Sequence, residues 1–274
     1  PEGVDRRQPH VTVVRRGGCP HYEKVVEEFR GRTRAAVTVL TARPGAGAAL
    51  RRRLGRSRPD LLLAVGQTAY DLVREENTPV VHALVYHRVL PKHHGVPARV
   101  PARIVLATFR RARPELRHVG VLHGPDSAGA LAGARDAAAR LGVKLIDLPA
   151  TSPAEAIGVL RRMDRRVQGL WLLADLQVLT PQVFQYALGL QLRRGVPLMG
   201  VVARHVRQGA LFALQYDPHD VGRRAARLTT WLLGGKRPAP QRPGTPHLYV
   251  NRTTAGSIAV PVRAFRGLSA TFVH

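Results

Sequence analysis

The chain has 274 residues, with 45% hydrophobic residues. That length suits two domains of ordinary size, and the apolar content excludes wholesale disorder. There are 43 basic and 18 acidic residues, a net charge of +25. Four of the 43 are lysines and 39 are arginines, scattered over the chain, and aromatic residues make up only 5%. A nucleic-acid binder concentrates charge and interleaves aromatics, so no nucleic-acid partner is expected. An anionic membrane surface is another outlet for the charge. No run of about 18 apolar residues exists to cross a bilayer. The chain begins at Pro1 rather than Met and is read as a processed product whose export signal has gone. Cys19 is the only cysteine, so no internal disulfide forms.

Taken in order, short apolar runs alternate with amphipathic stretches. His10–Val14 reads as a strand, Gly17–Pro20 as a turn and His21 to about Gly31 as a helix. Ala36–Leu40 is a strand, Ala46–Leu54 a helix, Asp60–Val65 a buried strand, 67–76 a helix and Pro79–Val85 a strand. Near-continuous apolar strands separated by helices imply a parallel sheet covered on both faces. His87 to Arg103, with Pro91, Gly95, Pro97 and Pro101, reads as a linker, and His93-His94 as solvated linker residues. His205 and His219 get the same solvated reading.

The pattern then restarts. Ile104–Arg111 is helical, His118–Leu122 a strand, Ser127–Leu141 a helix and Val143–Leu148 a strand. Ser152 and Glu155 make a capping box. Gly169–Leu173 is a strand, Pro181–Arg194 a helix and Pro197–Val201 a strand; Ala210–Gln215, Pro218–Leu233 and His247–Asn251 follow as strand, helix and strand. The expected fold is α/β, with two doubly wound parallel-sheet lobes. Lobe 1 takes 1–103 plus about 210–243, and lobe 2 takes 104–209 plus about 244–274. Several connectors, including Pro238–Pro246, imply a multi-strand hinge.

No phosphate loop, nucleophile elbow, His-Glu-x-x-His or Cys-x-x-Cys is present, and no catalytic residue, cofactor or metal is assigned. Asp126, Asp175 and Asp217 sit on separate turns, a poor acid/base set. What remains is polar turns after strands, where open α/β sheets bind ligands. Candidate ligand-binding residues of lobe 1 are Cys19, Tyr22, Gly66, Gln67, Thr68, Tyr86 and His87, with Tyr216 near a lobe crossing. Those of lobe 2 are Gly124, Asp126, Ser127, Asp175, Gln177 and Arg204. Capping, turn or packing roles stand beside the ligand role at Tyr22, Thr68, Tyr86, Asp126, Ser127, Asp175 and Tyr216.

Several segments resemble a known family in their order and spacing. Pro59–Ala69 resembles a Pro-Asp-apolar strand followed by Gly-Thr-Pro-Ala. His118–Pro125 resembles Arg-Ile-Gly-Val-Leu-Tyr-Asn-Pro, Gly209–Tyr216 resembles Gly-Ala-Leu-Ala-Ser-Tyr, and Val250–Ala255 resembles Val-Asn-Leu-Lys-Thr-Ala. The family is that of ABC-transporter substrate-binding proteins related to the tryptophan/tyrosine-binding lipoproteins, with the type I periplasmic-binding fold. The resemblance implies export to the periplasm, lobes that close on a small-molecule ligand, and an ABC permease as partner, the protein itself being a monomer. The chain departs from the family at Tyr86-His87-Arg88, where Thr-Asp-Pro is common, and at Asp175-Leu176-Gln177, where Asp-Asn is common. Pro91–Pro101 is also abbreviated. These departures leave the solute open and leave a sensor or scaffold with a degenerate pocket as an alternative; the +25 charge leaves a basic nucleic-acid-binding or regulatory module as another.

Overall fold

The computed structural model describes residues 7–43, 45–87, 89–238, 241 and 243–274. Arg88 and part of the Pro238–Pro246 connector lie outside the described residues. The chain divides into two compact units: 1–99 with 216–245, and 100–215 with 246–274. It passes from one to the other at three places.

Unit 1 contains β1 (His10–Arg16), α1 (Pro20–Arg32), β2 (Ala36–Ala42), α2 (Gly47–Ser57), β3 (Leu61–Val65), α3 (Gln67–Val73), β4 (Val80–Val85) and β5 (His94–Pro97). Its sheet is parallel throughout, in the order β2-β1-β3-β4-β5. The order reverses direction at β1/β3, the switch point at which such sheets take ligands. All five residues of β3 and all six of β4 are buried. Helices cover both faces, so these strands are apolar without alternation.

The linker expected at His87–Arg103 contains a strand, β5. Pro97 ends it, at the sheet edge, where proline costs no ladder bond. Gly95 is obligatory, because the His82 ring and carbonyl occupy the space its Cβ would take. His93 and His94 are therefore not solvated linker residues. Both are partly buried, and the Tyr70 hydroxyl sits 2.8 Å from His93 Nδ1.

Unit 2 contains α4 (Ala102–Ala112), β6 (His118–His123), α5 (Leu131–Arg140), β7 (Lys144–Pro149), α6 (Pro153–Arg161), β8 (Gly169–Leu172), α7 (Pro181–Arg194), β9 (Leu198–Met199), α8 (Ala203–Arg207) and β10 (Phe212–Gln215). The chain then returns to unit 1 as α9 (Pro218–Leu233), and β11 (His247–Asn251), α10 (Arg252–Ser257) and β12 (Ala270–Val273) complete unit 2. The second sheet runs β12-β11-β10-β9-β8-β6-β7. Its parallel part, β7-β6-β8-β9-β10, repeats the strand order of unit 1, and β11 adds to it antiparallel.

The return to unit 1 comes after Gln215, later than the expected 210. Phe212–Gln215 pairs with Val250–His247, and the Phe212 ring meets Phe109 edge-on at 4.9 Å. Both partners belong to unit 2. In unit 1, α9 crosses α1 closely: a Cβ on Gly222 would stand 2.6 Å from the Val25 carbonyl oxygen.

Candidate functional site

In unit 1 the turns after β1, β3 and β4 converge. Gly18 (φ +71) turns the chain out of β1, and Pro20, pre-set for a helix start, opens α1. Cys19 is a free, half-buried thiol whose carbonyl accepts the N–H groups of Tyr22 and Glu23 at 3.0 and 3.1 Å. This places the Tyr22 ring against the next turn. Gly66 precedes α3 at φ +86, and a Cβ there would lie 2.6 Å from the Tyr22 ring and hydroxyl. Only glycine supplies both that dihedral and that clearance. Burial pushes the Tyr22 hydroxyl up to about 12, and the neighbouring Cys19 adds to the shift. Burial likewise raises Tyr86, beside Tyr22 and Cys19.

Gln67, 5% exposed, ties the β3 and β4 turns together. Its Oε1 accepts the N–H groups of Tyr86 (3.2 Å) and His87 (3.3 Å), and its Nε2 donates to the His87 carbonyl (3.1 Å) and Asp71 (3.0 Å). Inside β4 the ladder shifts register between Ala83 and Val85, and Leu84 takes φ +57. A buried non-glycine residue in the left-handed region stores strain, and here the bulge aims Tyr86 and His87. Thr68 does not cap α3, where no side-chain cap bond forms. Half-buried, it leaves its hydroxyl uncommitted among the described residues. Tyr216 is 5% exposed, and Asp217 caps α9 by accepting the His219 N–H at 3.1 Å.

In unit 2 the turns after β6 and β8 interlock. Asp175, 2% exposed, fills the space where a Gly124 side chain would be. Its Oδ2 accepts the N–H (3.2 Å) and hydroxyl (3.1 Å) of Ser127, and its Oδ1 accepts the Gln177 N–H (3.1 Å). Gln177 in turn donates to Asp126 at 3.1 Å. Ser127 therefore caps no helix with its side chain; its hydroxyl and amide serve the Asp175 bridge. Arg204 takes no part in this cluster and is exposed on α8. Beside it, His205 is not a solvated residue. Its ring stacks on Phe184 at 4.1 Å and accepts the Val201 N–H, and burial lowers its pKa to about 4.

Two residues near the unit 1 turns escaped sequence reasoning. His21, in the first turn of α1, is lowered to about 4 by burial, against the opposing pull of Asp217. Arg15 is the penultimate residue of β1, paired to Glu23 at 3.0 Å. The available signal was their place beside the β1 turn. Among the described residues no group of three His, Cys, Asp or Glu side chains is placed to hold a metal.

A profile described as "ABC transporter substrate binding protein" matches residues 41–263. No curated protein sequence matches. Among solved structures, an ABC domain from Streptococcus pneumoniae in complex with L-Trp superposes with TM-score 0.75 at 14% identity, covering 97% of this chain and 100% of that one. A conserved domain protein from Vibrio cholerae gives 0.74 at 17%, with the same coverage. A ligand-free, open substrate binding protein with adhesive properties from Clostridium difficile gives 0.73 at 11%, again covering 97% and 100%. These likenesses establish the type I periplasmic-binding fold.

Proposed function

The chain belongs to the ABC transporter substrate binding protein family, and from that premise we propose that it captures one small solute for an ABC permease. The observation that carries this reading is a repeated architecture. Each unit has the same 2-1-3-4-5 strand order, and in each, strand-end turns are held together by side-chain hydrogen bonds, those after β3 and β4 in unit 1 and those after β6 and β8 in unit 2. Strand carboxyl ends at a switch point are where this class of sheet receives ligands. In the proposed roles, Tyr22 and Tyr86 supply apolar faces, Thr68 supplies a hydroxyl, and the Gly124–Ser127 and Asp175–Gln177 turns supply backbone donors. The L-Trp held by the Streptococcus pneumoniae domain and the L-rhamnose bound to a Clostridium phytofermentas solute binding protein make aromatic amino acids and sugars the first solutes to try. The protein performs no catalysis in this reading, resides outside the cytoplasm and acts as a monomer.

A second reading draws on one observation. Asp175 spends its side-chain oxygens on Ser127 and the Gln177 N–H, and the Ser127 hydroxyl is held by Asp175 and Gly124, as in a pocket that has become a scaffold. Thermal-shift and calorimetric titration across L-amino acids, sugars and nucleosides separates the two. Solute capture predicts at least one one-to-one ligand. It also predicts that Thr68→Val weakens that ligand about 3–10-fold, the worth of one hydrogen bond, with the ligand-free melting temperature unchanged. No ligand across the panel supports the scaffold, and an unaffected Thr68→Val removes Thr68 from the site.

A further inference from the structure

Helix α2 carries the densest charge in the chain. Five of the eight residues from Arg51 to Arg58 are arginines, and all five are exposed: Arg51, Arg52, Arg53, Arg56 and Arg58. No acidic residue occurs between Ala42 and Pro59. Some exposed arginines elsewhere find carboxylates, as in Arg7–Asp60, Arg135–Asp147, Arg166–Asp164 and Arg223–Asp220. Among the described residues none of the five on α2 does.

The helix buries Leu50 and Leu54. At 3.6 residues per turn, Arg52 and Arg56 stand on the opposite side, facing straight out, with Arg51 and Arg53 on the flanks. Like charges four apart on a helix repel. The helix also has no side-chain N-cap, no acid in its first turn, and a left-handed arginine (Arg58, φ +39) at its end. The arginines span about 10 Å of helix, close to one Debye length at about 0.1 M salt, so a partner meets them as one patch.

We propose that the arginine face of α2 docks unit 1 on an anionic phospholipid surface. The site requires a polyanion, and two observations favour lipid over nucleic acid. No aromatic residue occurs from Arg43 to Pro59 to stack on bases, and the chain belongs to a family that serves a transporter, whose permease sits in a bilayer. The inference is independent of which solute is bound, or whether one is.

The test uses the full chain, sedimented with vesicles of phosphatidylcholine alone or with about one third phosphatidylglycerol, and titrated with duplex DNA at the same salt. The wild type binds the mixed vesicles and not the neutral ones. R51Q/R52Q/R53Q/R56Q loses several hundred-fold in partition, from roughly five-fold for each basic residue held at an anionic surface. R161Q/R162Q/R165Q/R207Q, with the same net charge and changes at exposed sites of unit 2, keeps its affinity to within about ten-fold. Should the first variant fail to fold, R52Q/R56Q alone loses about 25-fold. Equal losses in the α2 and control variants, no distinction between the two vesicles, or tighter binding to duplex DNA than to mixed vesicles overturns the proposal.

Discussion

Replacing Gly66 by alanine tests how the unit 1 turns are assembled. Two costs are legible. At φ +86 an alanine enters a region L-residues avoid, at roughly 1–2 kcal/mol. Its Cβ would also stand 2.6 Å from the Tyr22 ring and hydroxyl, and forcing a buried ring aside costs about 1–3 kcal/mol. Gly66→Ala is therefore expected to destabilise unit 1 by about 2–5 kcal/mol. In a Tyr22→Ala background only the dihedral cost remains, about 1–2 kcal/mol, leaving a coupling of about 1–3 kcal/mol between the two positions. Trp231 lies on α9 of unit 1 and Trp171 on β8 of unit 2, so urea unfolding of a Trp171→Phe chain, followed by fluorescence, reports unit 1 separately from unit 2. A cost for Gly66→Ala below about 1 kcal/mol, or the same cost with and without Tyr22, refutes the stacked-turn account.

Acid is expected to loosen both units before most carboxylates titrate. His21, His82 and His205 are each lowered by burial from 6.5 to about 4. Their folded pKa lies below the unfolded value, so the stability they contribute is complete above about pH 6.5 and is lost as pH falls towards 4. At pH 4.5 the loss is about 2 kcal/mol per ring. Urea midpoints at pH 7 and 4.5 measure it, and His82→Phe should remove about one ring's share from unit 1. In unit 2, Asp175→Ala strands the Gln177 amide and leaves the Ser127 amide only the Gly124 carbonyl, and should cost about 2–3 kcal/mol by Trp171 fluorescence in a Trp231→Phe chain, with Asp175→Asn costing less. Equal stability of Asp175→Ala and the parent would show that water serves those amides as well.

Elements with complete local punctuation were readable to the residue. Pro181–Arg194 and Pro218–Leu233 each begin with a capping Thr180 or Asp217 before proline and end at a glycine. Ser152 accepts the Glu155 N–H at 3.2 Å as the capping box requires, but the Glu155 carboxylate reaches one residue further back, to the Thr151 N–H at 2.7 Å. What escaped was set by tertiary partners. β5 hid in a Pro- and Gly-rich stretch because its glycine answers to His82 in the neighbouring strand. β12, α8 and α10 are too short to show a period, and β9 shrank from the expected 197–201 to two residues. The strand-end turns were legible from the alternation of strand and helix. The roles of Gln67 and Asp175 were not, because their hydrogen-bond partners lie 20 and 48 residues away.

Solute capture by the paired turns is tested most directly by native mass spectrometry of the intact chain, purified and then mixed with L-tryptophan, other amino acids and sugars. The account predicts one adduct per chain for at least one solute, diminished in the Tyr22→Ala and Thr68→Val variants. A chain that carries no adduct with any solute, or one whose adduct survives both substitutions undiminished, contradicts it.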